Sequence, residues 1–133
     1  MSAPRGGHEG LLVYRVSNEL WIDLTHWSAS VRWGRNGHLS SQLLRAAHST
    51  PSNIAEGQAR GTNKEFIHFL NIAQGSATEV RHNLKGLEQL GVLKGDLAYR
   101  LRRQAVRVDC MLTKLIRYRK SLGADNGKPD RNL

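Results

Sequence analysis

A chain of 133 residues with 20 Lys and Arg against 11 Asp and Glu carries a formal charge of +9. That length suits one domain able to bury about two thirds of its unfolded surface, and the basic balance points to polyanionic partners, nucleic acid first. Cys110 is the sole cysteine, which excludes an intramolecular disulfide and a cysteine-rich zinc site, and no run of ~18 successive apolar residues offers a membrane span.

Residues 1–9 are polar and lack the apolar centre of a secretion signal, so they are expected to be disordered and the protein cytoplasmic. From Leu12, apolar residues recur at helical spacing: Leu12, Val13, Val16, Leu20, Leu24, Trp27 and Val31 define helix one, which should end near Trp33. Gly34-Arg35-Asn36-Gly37 stops it. Trp21 and Trp33 fall off this stripe. Exposed indoles are rare without reason, so subunit contact is the expected role, ahead of base stacking.

Helix two should begin near His38 or Leu39 and bury Leu39, Leu43, Ala46, Ala47, Ile54 and Ala55. Pro51 deletes a backbone hydrogen bond and crowds the preceding turn, which predicts a kink or local unwinding over Ala47–Pro51. Thr62-Asn63-Lys64-Glu65 reads as a capping box opening helix three. Phe66, Phe69, Leu70, Ala73, Ala77, Val80, Leu84 and Leu87 then line one face, and Gly91 is the expected stop. Helix four should start at an Asp96 N-cap and bury Leu97, Leu101, Ala105, Val108, Leu112 and Leu115. Gly123 to Leu133 lacks periodicity and is expected to be a disordered tail. The fold class is therefore all-α, an up-down-up-down four-helix bundle spanning residues 10–122.

Several segments together carry a family resemblance: Ser41-Gln42-Leu43-Leu44-Arg45-Ala46-Ala47, Pro51-Ser52-Asn53-Ile54-Ala55-Glu56-Gly57, Lys64-Glu65-Phe66 and Ile72-Ala73-Gln74-Gly75-Ser76-Ala77-Thr78-Glu79. In order and spacing, from about Leu12 to Leu93, the chain resembles the bacterial four-helix-bundle proteins encoded within intervening sequences of 23S ribosomal RNA genes. A cousin of that family is the accessory protein of diversity-generating retroelements, which implies a reverse transcriptase as a partner. The resemblance also implies the bundle fold and assembly into a closed ring, a homopentamer. Tyr14 stands where relatives usually carry Trp, and the connection after Trp33 lacks their common Phe-Pro.

Gln42, Arg45, Ser49, Asn53 and Glu56 lie three or four residues apart, forming one polar row on helix two. Gln74, Ser76 and Glu79 answer it on helix three, so a polar seam between the helices or between subunits is expected. Gln42, Arg45, Asn53, Glu56, Ser76 and Glu79 are read as a structural motif, with Glu56 and Glu79 held by Arg45, Arg60 or Arg81. Two carboxylates could in principle do acid–base work or hold a hard metal, but no positioned nucleophile accompanies them. The six histidines form no close ligand pair, and phosphate-cradling glycine loops are absent. No catalytic residue, metal or cofactor is expected.

Helix four is the sharper signal, since Leu97–Leu122 holds eight Lys and Arg against Asp109 alone, a net of +7. Arg100, Arg103, Arg107, Lys114 and Arg117 form a stripe opposite the leucines, along which a phosphate backbone could lie. The expected function is a non-enzymatic, oligomeric, basic bundle that binds RNA or DNA through this stripe. The rival reading is a protein-interaction adaptor, such as a reverse-transcriptase accessory subunit, whose charge docks an acidic partner.

Overall fold

The computed structural model describes residues 7–123, which form four helices: α1 (Gly7–Ala29), α2 (Gly37–Arg60), α3 (Asn63–Gln89) and α4 (Gly95–Ser121). A single 3-10 turn, Gly34–Asn36, joins the first two. Each helix packs on its chain neighbours, α1 also packs on α4, and among the described residues no close backbone approach spans the diagonal between α1 and α3 or α2 and α4. This is the expected up-down-up-down bundle. Most of the segments 1–9 and 123–133, expected to be disordered, lie outside the described residues; Gly7 to Glu9 already belong to α1, and Gly123 closes α4 at φ +84°.

The core follows the helical periodicity. Val13, Leu24, Leu43, Ile54, Phe66, Leu70, Leu84, Leu101 and Leu112 are fully buried, each side chain of this size contributing about 1.5–3 kcal/mol. Small residues on facing positions, Ala46 and Ala47 on α2 and Ala73 and Ala77 on α3, are buried with them and let these two helices approach closely. Helix one ends at Ala29 and not near Trp33, which leaves Val31 beyond it and only partly buried, and two further residues read as core are exposed. Leu12 is 47 % exposed and Ala55 faces solvent, because the stripe of each helix is narrower than the periodic pattern and Val13 and Ile54 occupy the inward positions.

The ends of α3 behave as the sequence suggests. Thr62 Oγ1 accepts from the Glu65 amide at 3.2 Å, although the Glu65 carboxylate turns to Arg60 Nη1 at 3.5 Å. At the other end Gly91 adopts φ +75°; its amide donates to Glu88 O and the Val92 amide to Leu87 O. That pair of bonds is a Schellman stop, which needs glycine's left-handed conformation. α4 departs from expectation: it starts at Gly95, its N-cap is Lys94, and Asp96 sits in the first turn, where its charge complements the helix dipole. Nor does α2 unwind at Pro51. The helix runs unbroken past the buried proline, and Thr50 Oγ1 donates to Ala46 O at 3.2 Å in the preceding turn.

Gly57 explains part of the conspicuous Pro51–Gly57 run. A Cβ there would come within 2.9 Å of both Phe66 Cδ1 and Phe69 Cβ, so the crossing of α2 and α3 requires a bare backbone. Gly75 and Gly86, by contrast, have nothing within 4 Å of such an atom and ordinary helical φ. Gly57→Ala is therefore expected to destabilise by about 1–2 kcal/mol, the overpacking exceeding the gain in helix propensity. Gly75→Ala and Gly86→Ala should each stabilise by about 0.5–1 kcal/mol. Urea unfolding of the three variants reads the opposite signs directly; equal signs would mean that the close approach at Gly57 is not a constraint.

Candidate nucleic-acid interface

The polar row on α2 divides in two. Ser49 enters the seam with α3, its Oγ 2.8 Å from Ser76 Oγ, and Asn53 supports it from the same helix, Nδ2 donating to Ser49 O at 2.8 Å and to Ser49 Oγ at 3.0 Å. Gln42, Arg45, Glu56 and Glu79 instead face solvent. Glu56 is held by Arg60, at 2.9 Å, but both side chains are about half exposed, while Glu79 has no ion-pair partner among the described residues. Glu56 thus pairs with Arg60, one of its expected partners, but outside the α2–α3 seam, because helix spacing gives the direction of a side chain and not how closely the neighbouring helix covers it. Glu56→Ala should cost only about 0.3–0.5 kcal/mol, as for other exposed i,i+4 pairs. A thermal melt shifted by more than a few degrees would show that the carboxylate does more than pair with Arg60.

Trp21 and Trp33 also differ from expectation, since neither is a free surface indole. Both are half-buried and pack on the core. Trp21 lies against His48 with ring centroids 4.6 Å apart; Trp33 meets Trp27 edge-on at 5.7 Å and donates Nε1–H to Ser28 O at 2.9 Å. Trp21 thus sits between α1 and α2, and Trp33 packs back on the end of α1. The exposed aliphatic side chains are others, among them Leu11, Leu12 and Ile22 on α1 and Ile72 and Leu90 at and after α3.

α4 keeps the arrangement that its sequence implies. Its leucine stripe, Leu101, Ala105, Val108, Leu112 and Leu115, is buried, which turns Arg100, Arg103, Arg107, Lys114 and Arg117 to solvent. None of these five forms an ion pair within 4.0 Å among the described residues. Other basic groups of the helix are committed to the fold. Arg102 pairs with Glu88, and Arg119 donates to Asn63 Oδ1 at 3.2 Å with its guanidinium 4.9 Å from the Phe66 ring. Buried Asn63 in turn donates to Arg119 O and Gly123 O, tying the start of α3 to the end of α4.

Asp109, the acid midway along α4, points away from the row. It binds Arg81 and accepts from Gln74 Nε2 at 3.1 Å, both on α3, and its side chain is 16 % exposed. The outer face is consequently cationic, its one α4 acid being exposed Asp96 in the first turn. Whole-helix charges sharpen the contrast: α4 has eight basic and two acidic residues, a net of +6 out of +9, while neighbouring α1 has a net of −2.

Aromatic and apolar elements adjoin the row, and sequence spacing alone did not single them out. Tyr99, 53 % exposed, and Tyr118, 48 % exposed, stand at its two ends. Arg103 Nη1 donates to Tyr99 Oη at 3.1 Å, and the Arg102 and Arg103 guanidiniums lie 5.8 and 5.6 Å from that ring. Beside them a groove of about 540 Å³ runs between α3 and α4, lined by Leu84, Ala105 and Val106 together with Arg81, His82, Lys85 and the Arg102–Glu88 pair. Cys110 is exposed between Arg107 and Lys114. No cluster of three or more His, Cys, Asp or Glu suited to a metal occurs among the described residues, and no described helix is long and apolar enough to cross a membrane.

The family described as 23S rRNA-intervening sequence protein matches residues 9–114, which take in α1 to α3 and most of α4. The fold is also similar to the crystal structure of a protein of unknown function from the S23 ribosomal protein family of Bacteroides thetaiotaomicron VPI-5482. The TM-score is 0.75 at 22 % identity, covering 82 % of this chain and 98 % of the other. None of the curated proteins matches the chain.

Proposed function

The chain belongs to the 23S rRNA-intervening sequence protein family, and on that premise we propose that it is a non-enzymatic basic bundle whose α4 face binds nucleic acid. The observation that carries this reading is the row of five exposed cations, Arg100, Arg103, Arg107, Lys114 and Arg117, none in an ion pair among the described residues, on a face whose one α4 acid is exposed Asp96 at its start. Like charges spaced at i,i+3 and i,i+4 destabilise a helix by a few tenths of a kcal/mol per pair. A phosphate backbone removes that repulsion and releases its condensed counterions on binding. In a closed ring, as the resemblance implies, the row would repeat around the assembly and weak contacts would add through multivalency.

The test is titration of labelled RNA and DNA with the protein over a salt series. Binding should be strong at low salt, fall steeply as salt rises, and vary little with base sequence, because a row of phosphate-directed cations does not read base edges. Absence of binding to single strands and duplexes at low salt would overturn the proposal. The charge would then serve an acidic protein partner, for which a reverse transcriptase is the candidate that the resemblance supplies.

A further inference from the structure

We infer that the α4 face takes single-stranded nucleic acid in preference to duplex. The inference rests on the nucleic-acid reading above and adds the class of strand. Its first ground is the pair of exposed rings, Tyr99 and Tyr118, at 53 % and 48 % exposure beside the free cations. Arg102 and Arg103 hold Tyr99 in place, but no ring or cation contact holds the Tyr118 ring among the described residues. A phenol left open in this way has an unused π-face. Unpaired bases stack on such faces, and stacking tolerates any base sequence.

The second ground is the α3–α4 groove, lined by apolar Leu84, Ala105 and Val106 and by Lys85 and His82, with Arg81 and Arg102 on it paired to Asp109 and Glu88. It shares Arg102 and Val106 with a shallow depression over Tyr99, Arg100, Arg103 and Arg107. Bases and phosphates of one strand thus meet matching surfaces side by side. A duplex hides its bases and would engage only the cations. The two tyrosines are 19 positions apart in α4, about 28 Å at the helical rise, which a stacked strand at ~3.4 Å per nucleotide covers with about eight nucleotides.

Fluorescence anisotropy with end-labelled oligothymidylate, oligouridylate and a duplex, each about ten nucleotides long, tests this at one low-salt condition. The parent should bind both single strands at least about tenfold more tightly than the duplex. Tyr99→Leu with Tyr118→Leu, checked for unchanged melting, should lose about tenfold in single-strand affinity per ring and leave duplex affinity within about twofold. Tyr99→Phe with Tyr118→Phe retains both π-faces and should bind like the parent. Equal or tighter binding of duplex by the parent, or leucine variants that hold single strands undiminished, would overturn the inference and leave the proposed function standing. Binding to none of the three probes removes the proposed function, and this inference with it.

Discussion

Phe66→Ala should lower the free energy of unfolding by about 3–5 kcal/mol, a large part of the about 5–15 kcal/mol that stabilises a domain of this kind. Phe66 is the bulkiest of the fully buried side chains, and every helix contributes to its surroundings. Gly10 of α1 brings its backbone so near that a Cβ would lie 3.2 Å from Phe66 Cζ; Gly57 of α2 would come within 2.9 Å of Cδ1. From α4 the Arg119 guanidinium stands 4.9 Å from the ring centroid. Truncation therefore opens a cavity where four helices meet, and rigid backbone on two sides limits its collapse. It also removes the ring beneath Arg119, which bonds Asn63 at the start of α3. Urea unfolding followed by circular dichroism measures the effect; a loss below about 1 kcal/mol would mean that the bundle end repacks freely.

The periodic residues Leu20, Leu24, Leu43, Leu70, Leu84 and Leu112 were legible because burial on a helix repeats every three or four positions, and each lies in the core. Gly91 and Thr62 were legible for a different reason: their backbone roles are local, set by conformation and by bonds within one turn. What periodicity lacks is the position of the neighbouring helix. Glu56 and Ser49 sit on the same polar row, yet only Ser49 reaches α3, because the seam covers one part of the row and leaves the rest in water. Trp21 fails the same way, since His48 of α2 covers it, whereas Trp33 meets Trp27 because α1 ends at Ala29 and Trp33 lies beyond the helix.

On the candidate site, the sequence revealed the cations and hid what separates free ones from paired ones. Arg102 and Arg103 are adjacent in the chain, but Glu88 neutralises only Arg102. Arg119 likewise belongs to the tie with Asn63. Asp109 looked like the one negative charge that could quench the stripe; its turn towards Gln74 and Arg81 takes it off the row and leaves Asp96, at the start of the helix, as the one α4 acid on that side. Tyr99 and Tyr118 escaped notice because their significance lies in exposure, which is a property of the assembled bundle. Gly57 carried a readable cue, three residues after core Ile54 and so on the inward face, and its meaning appears once Phe66 and Phe69 are opposite it.

Reversing two of the free charges should have the largest effect on function. Arg103→Glu with Arg107→Glu places two carboxylates in the middle of the row, one helical turn apart, where both parent side chains are exposed and unpaired. Each lost charge-assisted contact is worth about 1.5 kcal/mol or more, so together they should weaken nucleic-acid binding about a hundredfold at low salt. The loss should be uniform across base sequences, and the slope of log affinity against log salt should flatten by about 1.5–2, the share of two phosphate contacts. Stability should hardly change, because neither residue touches the core and the reversal relieves like-charge repulsion along α4. That combination distinguishes a binding surface from a structural one. The same reversal at Lys128 and Arg131, outside the described residues, should weaken binding far less. If the tail variant matches the α4 variant in both affinity and salt slope, binding follows the net charge of the chain, and the row on α4 has no special part in it.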